Sequence, residues 1–372
     1  MKKVNGHEVI ALFEKWSPKR FAMEGDPVGL HIGQLNRTAE KVLVTLDVNE
    51  EVIDEAIRIG ANLIIAHHPP IFRPLKSLLT DTPQGSMIQK CIKNDIAVYA
   101  AHTNLDVAPG GVNDMLAEKL GLVDTKIVEL TYSEPLYKLI VFSPVSHADE
   151  IRQALEKAGA GAIGDYVGCS FSTTGTGRFT PVEGAEPFIG EVGNGEAVEE
   201  ERIEVVVPGP TRSKVLKVML KAHPYEEPAY DLVVLDQKSN DYGLGRIGEL
   251  REKTTLGQFA KLVKTAFDVP ALRFVGDPSK EIRKVAVLGG DGNKYIESAK
   301  RSGADVLVTG DLYYHVAHDA QAMGIAVIDP GHNIEKVMIQ GVVDYMQSAC
   351  TQAGYNVSFI ESEIVTEPFT FI

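Results

Sequence analysis

Cysteine is scarce, with three residues in 372, Cys91, Cys169 and Cys350, and no CxxC spacing among them. An odd, scattered set of this kind excludes a disulfide framework and fits a reducing compartment. No apolar run is long enough to span a bilayer. The opening residues Met1-Lys2-Lys3-Val4-Asn5-Gly6-His7-Glu8 lack an apolar stretch after the lysines, so no signal peptide is expected. A cytoplasmic protein with no membrane partner is the expectation. Blocks of basic residues are also missing, and the formal net charge is −14. Binding to a nucleic-acid backbone calls for a basic stripe, so nucleic acid is not an expected partner. Neither GxxxxGK followed by Ser or Thr, nor GxSxG, occurs, which removes two common enzyme classes. Gly243-Leu244-Gly245-Arg246-Ile247-Gly248 has glycines spaced like a dinucleotide fingerprint, but no buried strand precedes it and Asp241-Tyr242 marks it as loop.

Histidines at strand ends stand out against these absences. The apolar run Asn62-Leu63-Ile64-Ile65-Ala66 is short, β-branched and closed by His67-His68-Pro69-Pro70, so it reads as a buried strand delivering two imidazoles to a loop. Ile96–Ala101 runs into His102-Thr103-Asn104-Leu105-Asp106, and Ile325–Ile328 into Asp329-Pro330-Gly331-His332-Asn333-Ile334-Glu335. Ligands of open α/β sheets gather at the carboxyl ends of strands. Three such ends offering His, His, Asp, His and Glu form the ligand set of a borderline divalent metal, with enough donors for two ions.

At 372 residues the chain is comfortable for two or three domains. Val42–Ala66 aligns without gaps on Val285–Thr309, with identities at Val42/Val285, Val44/Val287, Ile53/Ile296, Ala56/Ala299, Arg58/Arg301, Gly60/Gly303 and Ala61/Ala304. Both segments read strand, turn, amphipathic helix, Gly-Ala, strand, with Gly60 placed to end its helix. The next strands correspond too, and that register sets Asp106 opposite Glu335. Shared βαβ grammar can produce such likeness, but the paired carboxylates point to an internal duplication. The expected fold is therefore α/β, with two pseudo-repeated halves (residues 1–128 and 238–372) building one metal-site core. Residues 129–237 have a different rhythm: strand, helix, strand, strand, helix, strand, the order of a ferredoxin-like α+β domain. There Gly184–Glu201 reads as an exposed hairpin or loop, and Thr211 as an N-cap.

Each candidate has a plainer role as an alternative. Asp106 could cap a helix over Gly110–Leu120, and Glu335 could complement the dipole of the amphipathic helix it opens. Their convergence favours ligation: His67 and His68 would serve different ions on either side of a bridging carboxylate, Asp106 or Glu335, with His332 completing the second ion's surroundings. His102, Asp311 and His315 also lie at strand ends and are candidates for proton transfer or for orienting a ligand. Asp311 takes the place of His68 in the repeat. His318 reads as a surface or packing residue, and His223-Pro224-Tyr225-Glu226-Glu227-Pro228 as a turn entering an edge strand.

His67-His68-Pro69-Pro70, His102–Asp106, Gly310-Asp311 with His315, Gly331-His332 with its following Glu, and the early Asp26-Pro27-Val28-Gly29-Leu30 resemble the GTP cyclohydrolase I type 2 (Ngg-interacting-factor-like) family. The likeness covers both flanking halves. The middle segment looks like the insertion of the long bacterial members, similar to CutA-like and PII-like trimers. The resemblance implies a dinuclear centre held by His67, His68, Asp106, His332 and Glu335, in a ring-shaped homohexamer with trimer contacts through the inserted domain. Many short members place the final Glu four residues after the His; here the spacing is three. The functional expectation is a hydrolase using two divalent ions per chain, zinc first with iron or manganese as alternatives. Its substrate would be a small molecule, with a nucleotide opened as in GTP cyclohydrolase chemistry among the candidates. The competing expectation is a metal-braced regulatory or scaffold hexamer that senses a small effector through its inserted domain.

Overall fold

The computed structural model describes residues 2–372. The chain divides into two compact units, residues 2–132 with 242–372, and residues 133–241. Along the chain the strands are β1 (Gly29–Ile32), β2 (Lys41–Thr45), β3 (Leu63–Ala66), β4 (Ala97–Ala100), β5 (Val123–Pro144), β6 (Ser170–Phe179) and β7 (Glu196–Pro208). They continue with β8 (Tyr230–Thr255), β9 (Arg273–Val275), β10 (Glu281–Asp291), β11 (Val306–Gly310), β12 (Ala326–Asp329) and β13 (Ser358–Glu361).

The first unit is a mixed α/β fold with two sheets. One has the order β1-β4-β3-β2-β13, with β2, β3, β4 and β13 parallel and β1 antiparallel at the edge. In the other, β10, β11 and β12 are parallel, flanked by β9 and the later part of β8 running antiparallel. Val42, Val44, Leu63 and Ile65 share one buried core with Val285, Val287, Val306 and Val308. Helices Gly6–Trp16, Val112–Lys119, Leu256–Ala266 and Val337–Gln352 contribute Phe13, Leu116, Phe259 and Met338 to it. The alternate residues Leu43, Ile64 and Val98 pack under helices Glu50–Ile59 and Pro83–Lys93, and Ala286, Leu307 and Val327 under Ile296–Arg301 and Tyr314–Met323. Because both faces of each strand are covered, these strands read as unbroken apolar runs rather than alternating ones.

Local chemistry sets the helix ends. Asn49 accepts the Val52 N–H and Gly60, at φ 73°, closes helix Glu50–Ile59. Capping boxes, Asn5 with Glu8 and Thr255 with Gln258, start two of the core helices.

The second unit runs β5, helix Ala148–Ala158, β6, β7, helix Arg212–Ala222, β8, with sheet order β6-β7-β5-β8. Leu139, Val141, Ile203 and Val205 of the sheet pack on Ile151, Leu155, Val215 and Met219 of the helices. Two local expectations are corrected, and one, the hairpin or loop at Gly184–Glu201, is resolved as the loop and second strand of a hairpin. Thr211 does not cap through its side chain; its hydroxyl donates to the Pro208 carbonyl and tightens the 3-10 turn that the Pro208-Gly209-Pro210 geometry imposes. The end of the Gly184–Glu201 segment is strand, because β7 begins at Glu196 and pairs with β6 from Phe179. Gly243–Gly248 lies within β8 rather than in a loop, and Arg246, Ile247 and Gly248 pair with β10.

Arg246 of β8 is 6% exposed and forms a two-pronged pair with Asp114 of helix Val112–Lys119, at 2.6 and 2.8 Å. Asp114→Ala strands that guanidinium on two carbonyls, those of Gly243 and Gly245. The expected loss is about 3 kcal/mol, the low end for broken buried pairs because Asp114 is partly exposed. Urea unfolding measures it, and Arg246→Met/Asp114→Leu should recover most of the loss.

Candidate metal centre

β3, β4 and β12 end at one side of the first unit, and the residues that follow them converge. Backbone pairing continues past β3, with the His67 and His68 N–H groups donating to the carbonyls of Thr45 and Leu46. His102 opens the short helix Thr103–Val107, which carries Asp106 on its buried side. Gly331, at φ 90°, turns the chain after β12 into a 3-10 helix, His332–Lys336, holding His332 and the buried Glu335.

Glycines make the convergence possible. A Cβ at Gly289 or Gly290 of β10 would come within 2.8 or 2.9 Å of Glu335 Oε1, and one at Gly310 within 2.8 Å of the His332 N–H nitrogen. Asn113, 1% exposed, joins the two halves: it donates to the Asp106 carbonyl and accepts the Gly289 N–H.

The four histidines share one arrangement. His67 Nδ1 meets the Ala101 carbonyl at 2.8 Å, His68 Nδ1 meets Asp47 at 2.7 Å, His102 Nδ1 meets Asp26 at 2.7 Å and His332 Nδ1 meets Asp311 at 2.6 Å. Carbonyl and carboxylate oxygens only accept, so every Nδ1 carries its hydrogen and every Nε2 is left for the interior of the cluster. Glu335 Oε2 lies 3.1 Å from the Nε2 atoms of His68 and His332 and 3.7 Å from that of His67. His67 Nε2 and Asp106 Oδ1 are buried, lack hydrogen-bond partners among the described residues and stand 3.6 Å apart. Leaving two such atoms unsatisfied costs about 1–3 kcal/mol each.

A divalent ion fits this donor set. Two donors each about 2.1 Å from a tetrahedral ion lie about 3.4 Å from one another, close to the orphaned His67–Asp106 separation. Three groups of potential ligands occur among the described residues, His67/His68/His102, His68/His332/Glu335 and His67/Asp106/Glu335.

With protons alone as counter-charge, the site is tense. Burial opposes ionisation of His68, but hydrogen bonds to Asp47 and Glu335 push it up to about 10. The Glu335 hydrogen bond lifts His332 to about 9 against burial. Burial raises Asp106 to about 6 despite the His67 charge, while the surrounding imidazoles hold Glu335 low against its own burial.

A family model for Duf34/NIF3 (NGG1p interacting factor 3) matches residues 4–368. A Halalkalibacterium halodurans protein named GTP cyclohydrolase 1 type 2 homolog is 55% identical over 372 residues, covering 100% of both chains. This chain belongs to the Duf34/NIF3 family. The crystal structure of a Bacillus cereus protein related to NIF3 is similar to it at 56% identity and a TM-score of 0.92, over 100% of each chain. A Staphylococcus aureus crystal structure matches over 100% of each chain at 34% identity and a TM-score of 0.83.

In this NIF3 chain the five residues expected as ligands, His67, His68, Asp106, His332 and Glu335, come together. Asp106 does not cap Val112–Lys119, whose N-cap is Gly111, but sits inside the helix before it, and Glu335 faces three imidazoles. Of the other three candidates, His102 belongs to one of the ligand groups and lines the adjoining cavity, and Asp311 orients His332. His315 is exposed on helix Tyr314–Met323 and joins none of the ligand groups. Sequence reading missed Asp47, Asn113 and the Gly289-Gly290 pair, and it noted Asp26 only as part of a family motif. Asp47 carried a usable signal, a carboxylate just past the carboxyl end of β2; Asn113 and the glycines carried none, because the groups they meet in the other strands, Gly289 for Asn113 and Glu335 for the glycines, lie far along the chain.

The His68 and His332 values lie above neutrality, so both rings are protonated at about pH 7 and a cation must displace those protons. Adding zinc to chelator-stripped protein in weak buffer at about pH 7 is expected to release about one proton or more per chain, and affinity should fall as pH falls. A pH-indicator titration reads it; uptake without acidification would contradict the protonation pattern.

Proposed function

We propose that this NIF3 protein is a hydrolase that works with two divalent ions per chain, zinc first and iron or manganese as alternatives. The observation that carries the reading is the buried, unpartnered pair His67 Nε2 and Asp106 Oδ1 beside a carboxylate already shared by three imidazoles. His67, His68, Asp106, His332 and Glu335 would hold the ions, which when bound supply Lewis acidity and a nucleophile drawn from water at neutral pH. The cluster opens on a cavity of about 420 Å³ with Met23, Phe72, Leu244, Leu288 and Tyr295 among its walls, a size suited to a small molecule. The apolar walls exclude water from a bound substrate. His102, held by Asp26, presents Nε2 to that cavity and holds or moves a proton there. Asp311 acts through His332 as a positioning residue. Phosphoesters and amides suit such a site, and the name of the Halalkalibacterium relative adds purine ring opening of GTP to the reactions worth testing.

We read residues 129–237 as an inserted ferredoxin-like domain, supported by the strand–helix–strand–strand–helix–strand order and the β6-β7-β5-β8 sheet. We read the halves on either side as an internal duplication, supported by the matched parallel pairs β2–β3 and β10–β11. A metal-braced regulatory hexamer is the second reading, favoured by a separate cavity in the inserted unit.

Elemental analysis of gently purified protein should find about two ions per chain, lost in His67→Ala/His68→Ala. With a turned-over substrate, His102→Ala should lower kcat about a hundredfold or more while retaining metal. Absence of stoichiometric metal after reconstitution with zinc, iron or manganese would sink the hydrolase; metal that stabilises without any turnover would favour the regulator. Light scattering should return the mass of six chains, and a monomer would overturn the ring.

A further inference from the structure

The second unit contains a cavity of about 620 Å³ that the metal chemistry does not use. Phe142, Phe179, Phe188 and Tyr225 give it aromatic walls, with the Tyr225 ring centroid 5.9 Å from that of Phe179 and 6.4 Å from that of Phe188. Tyr225 is held in place from below. Its N–H donates to His223 Nδ1, and His223 Nε2 donates to the Phe142 carbonyl. Both ring nitrogens of His223 are therefore engaged, which explains the His223-Pro224-Tyr225 turn and leaves that histidine no lone pair for a metal.

Glu200 of β7 lines the same cavity and is 8% exposed. Its Oε1 accepts the Tyr225 hydroxyl at 2.9 Å, and among the described residues no cation pairs with it. The backbone makes room for this carboxylate: a Cβ at Gly177, on the neighbouring strand β6, would come within 2.1 Å of Glu200 Oε2. Glu183, Glu226 and Glu227 also line the cavity, against one cation, the exposed Arg178. Glu226 ties down the loop by accepting the Glu186 N–H at 3.0 Å. A buried carboxylate with a single neutral donor is poorly compensated, and aromatic faces beside it attract positive charge.

We propose that this cavity binds a small organic cation, an alkylated ammonium, seated between Glu200 and the rings of Tyr225, Phe179 and Phe188. The acidic lining disfavours an anion. A bare divalent ion would find one buried carboxylate, no free imidazole and largely apolar walls. A neutral apolar ligand would leave Glu200 without counter-charge. The inference stands apart from the metal centre and does not require it.

Titration calorimetry on the full chain tests the idea, with choline and tetramethylammonium as probes and the uncharged carbon isostere of choline as the comparison. The expected result is saturable binding of both cations, with the isostere weaker by about tenfold or more. Glu200→Gln and Phe188→Ala should each weaken choline by about tenfold. Phe188 is 53% exposed on a loop, so its truncation leaves the unit folded and decides the matter if Glu200→Gln does not fold. No saturable binding of either cation, equal affinity for the isostere, or unchanged affinity in Phe188→Ala would overturn the proposal.

Discussion

One carboxylate, that of Glu335, lies 3.1–3.7 Å from three imidazole nitrogens contributed by segments far apart in the chain. Most of the local architecture exists to make that approach tolerable. Gly289 and Gly290 remove the side chains that would collide with Glu335, Gly310 does the same for the backbone at His332, and Gly331 turns the chain into the cluster. A carboxylate buried this deeply is expensive unless positive charge surrounds it. Protons on His68 and His332 supply that charge in the protein alone, and a divalent cation supplies more of it at shorter range.

The outer anchors matter as much as the inner atoms. Asp47, Asp26, Asp311 and the Ala101 carbonyl each hold one Nδ1, so the four rings are oriented before any ligand arrives. Preorganisation of this kind fixes the rings, so that His68 and His332 reach Glu335 while His67 Nε2 stays without a hydrogen-bond partner among the described residues. The unpartnered state of His67 Nε2 and Asp106 Oδ1 is its visible consequence. In the second unit, Glu200 and Tyr225 pose a milder version of the same problem, a buried carboxylate set among aromatic rings and paired with no cation among the described residues.

Much of this is legible in the sequence, for local reasons. A buried parallel strand must end in a loop, so the position of a histidine just past an apolar run already assigns it to a sheet's carboxyl edge. His67, His68, Asp106, His332 and Glu335 can be read in that way. Asp114 with Arg246, or Asn113 with Gly289, cannot, because each pair is separated by more than a hundred residues and neither partner has unusual neighbours. Local signals mislead where they meet long-range pairing: the glycines of Gly243–Gly248 suggest loop, yet the segment lies in β8 and its last three residues pair with β10. His315 stands close to Asp311 in sequence, but its helix places it on the surface.

Sequence alone therefore determined the alternation of strands and helices and the residue types that could meet at the strand ends, since these depend on periodicity, turn chemistry and composition, while the likeness of its histidine motifs pointed to the family. Tertiary structure decided which atoms of those residues face each other, which carboxylates serve as anchors rather than ligands, and which glycines clear the way. It also set the protonation tendencies, with Asp106 raised and Glu335 lowered although both are buried acids. The physical reason is that desolvation and charge–charge interaction depend on distance through space, which spacing along the chain does not encode.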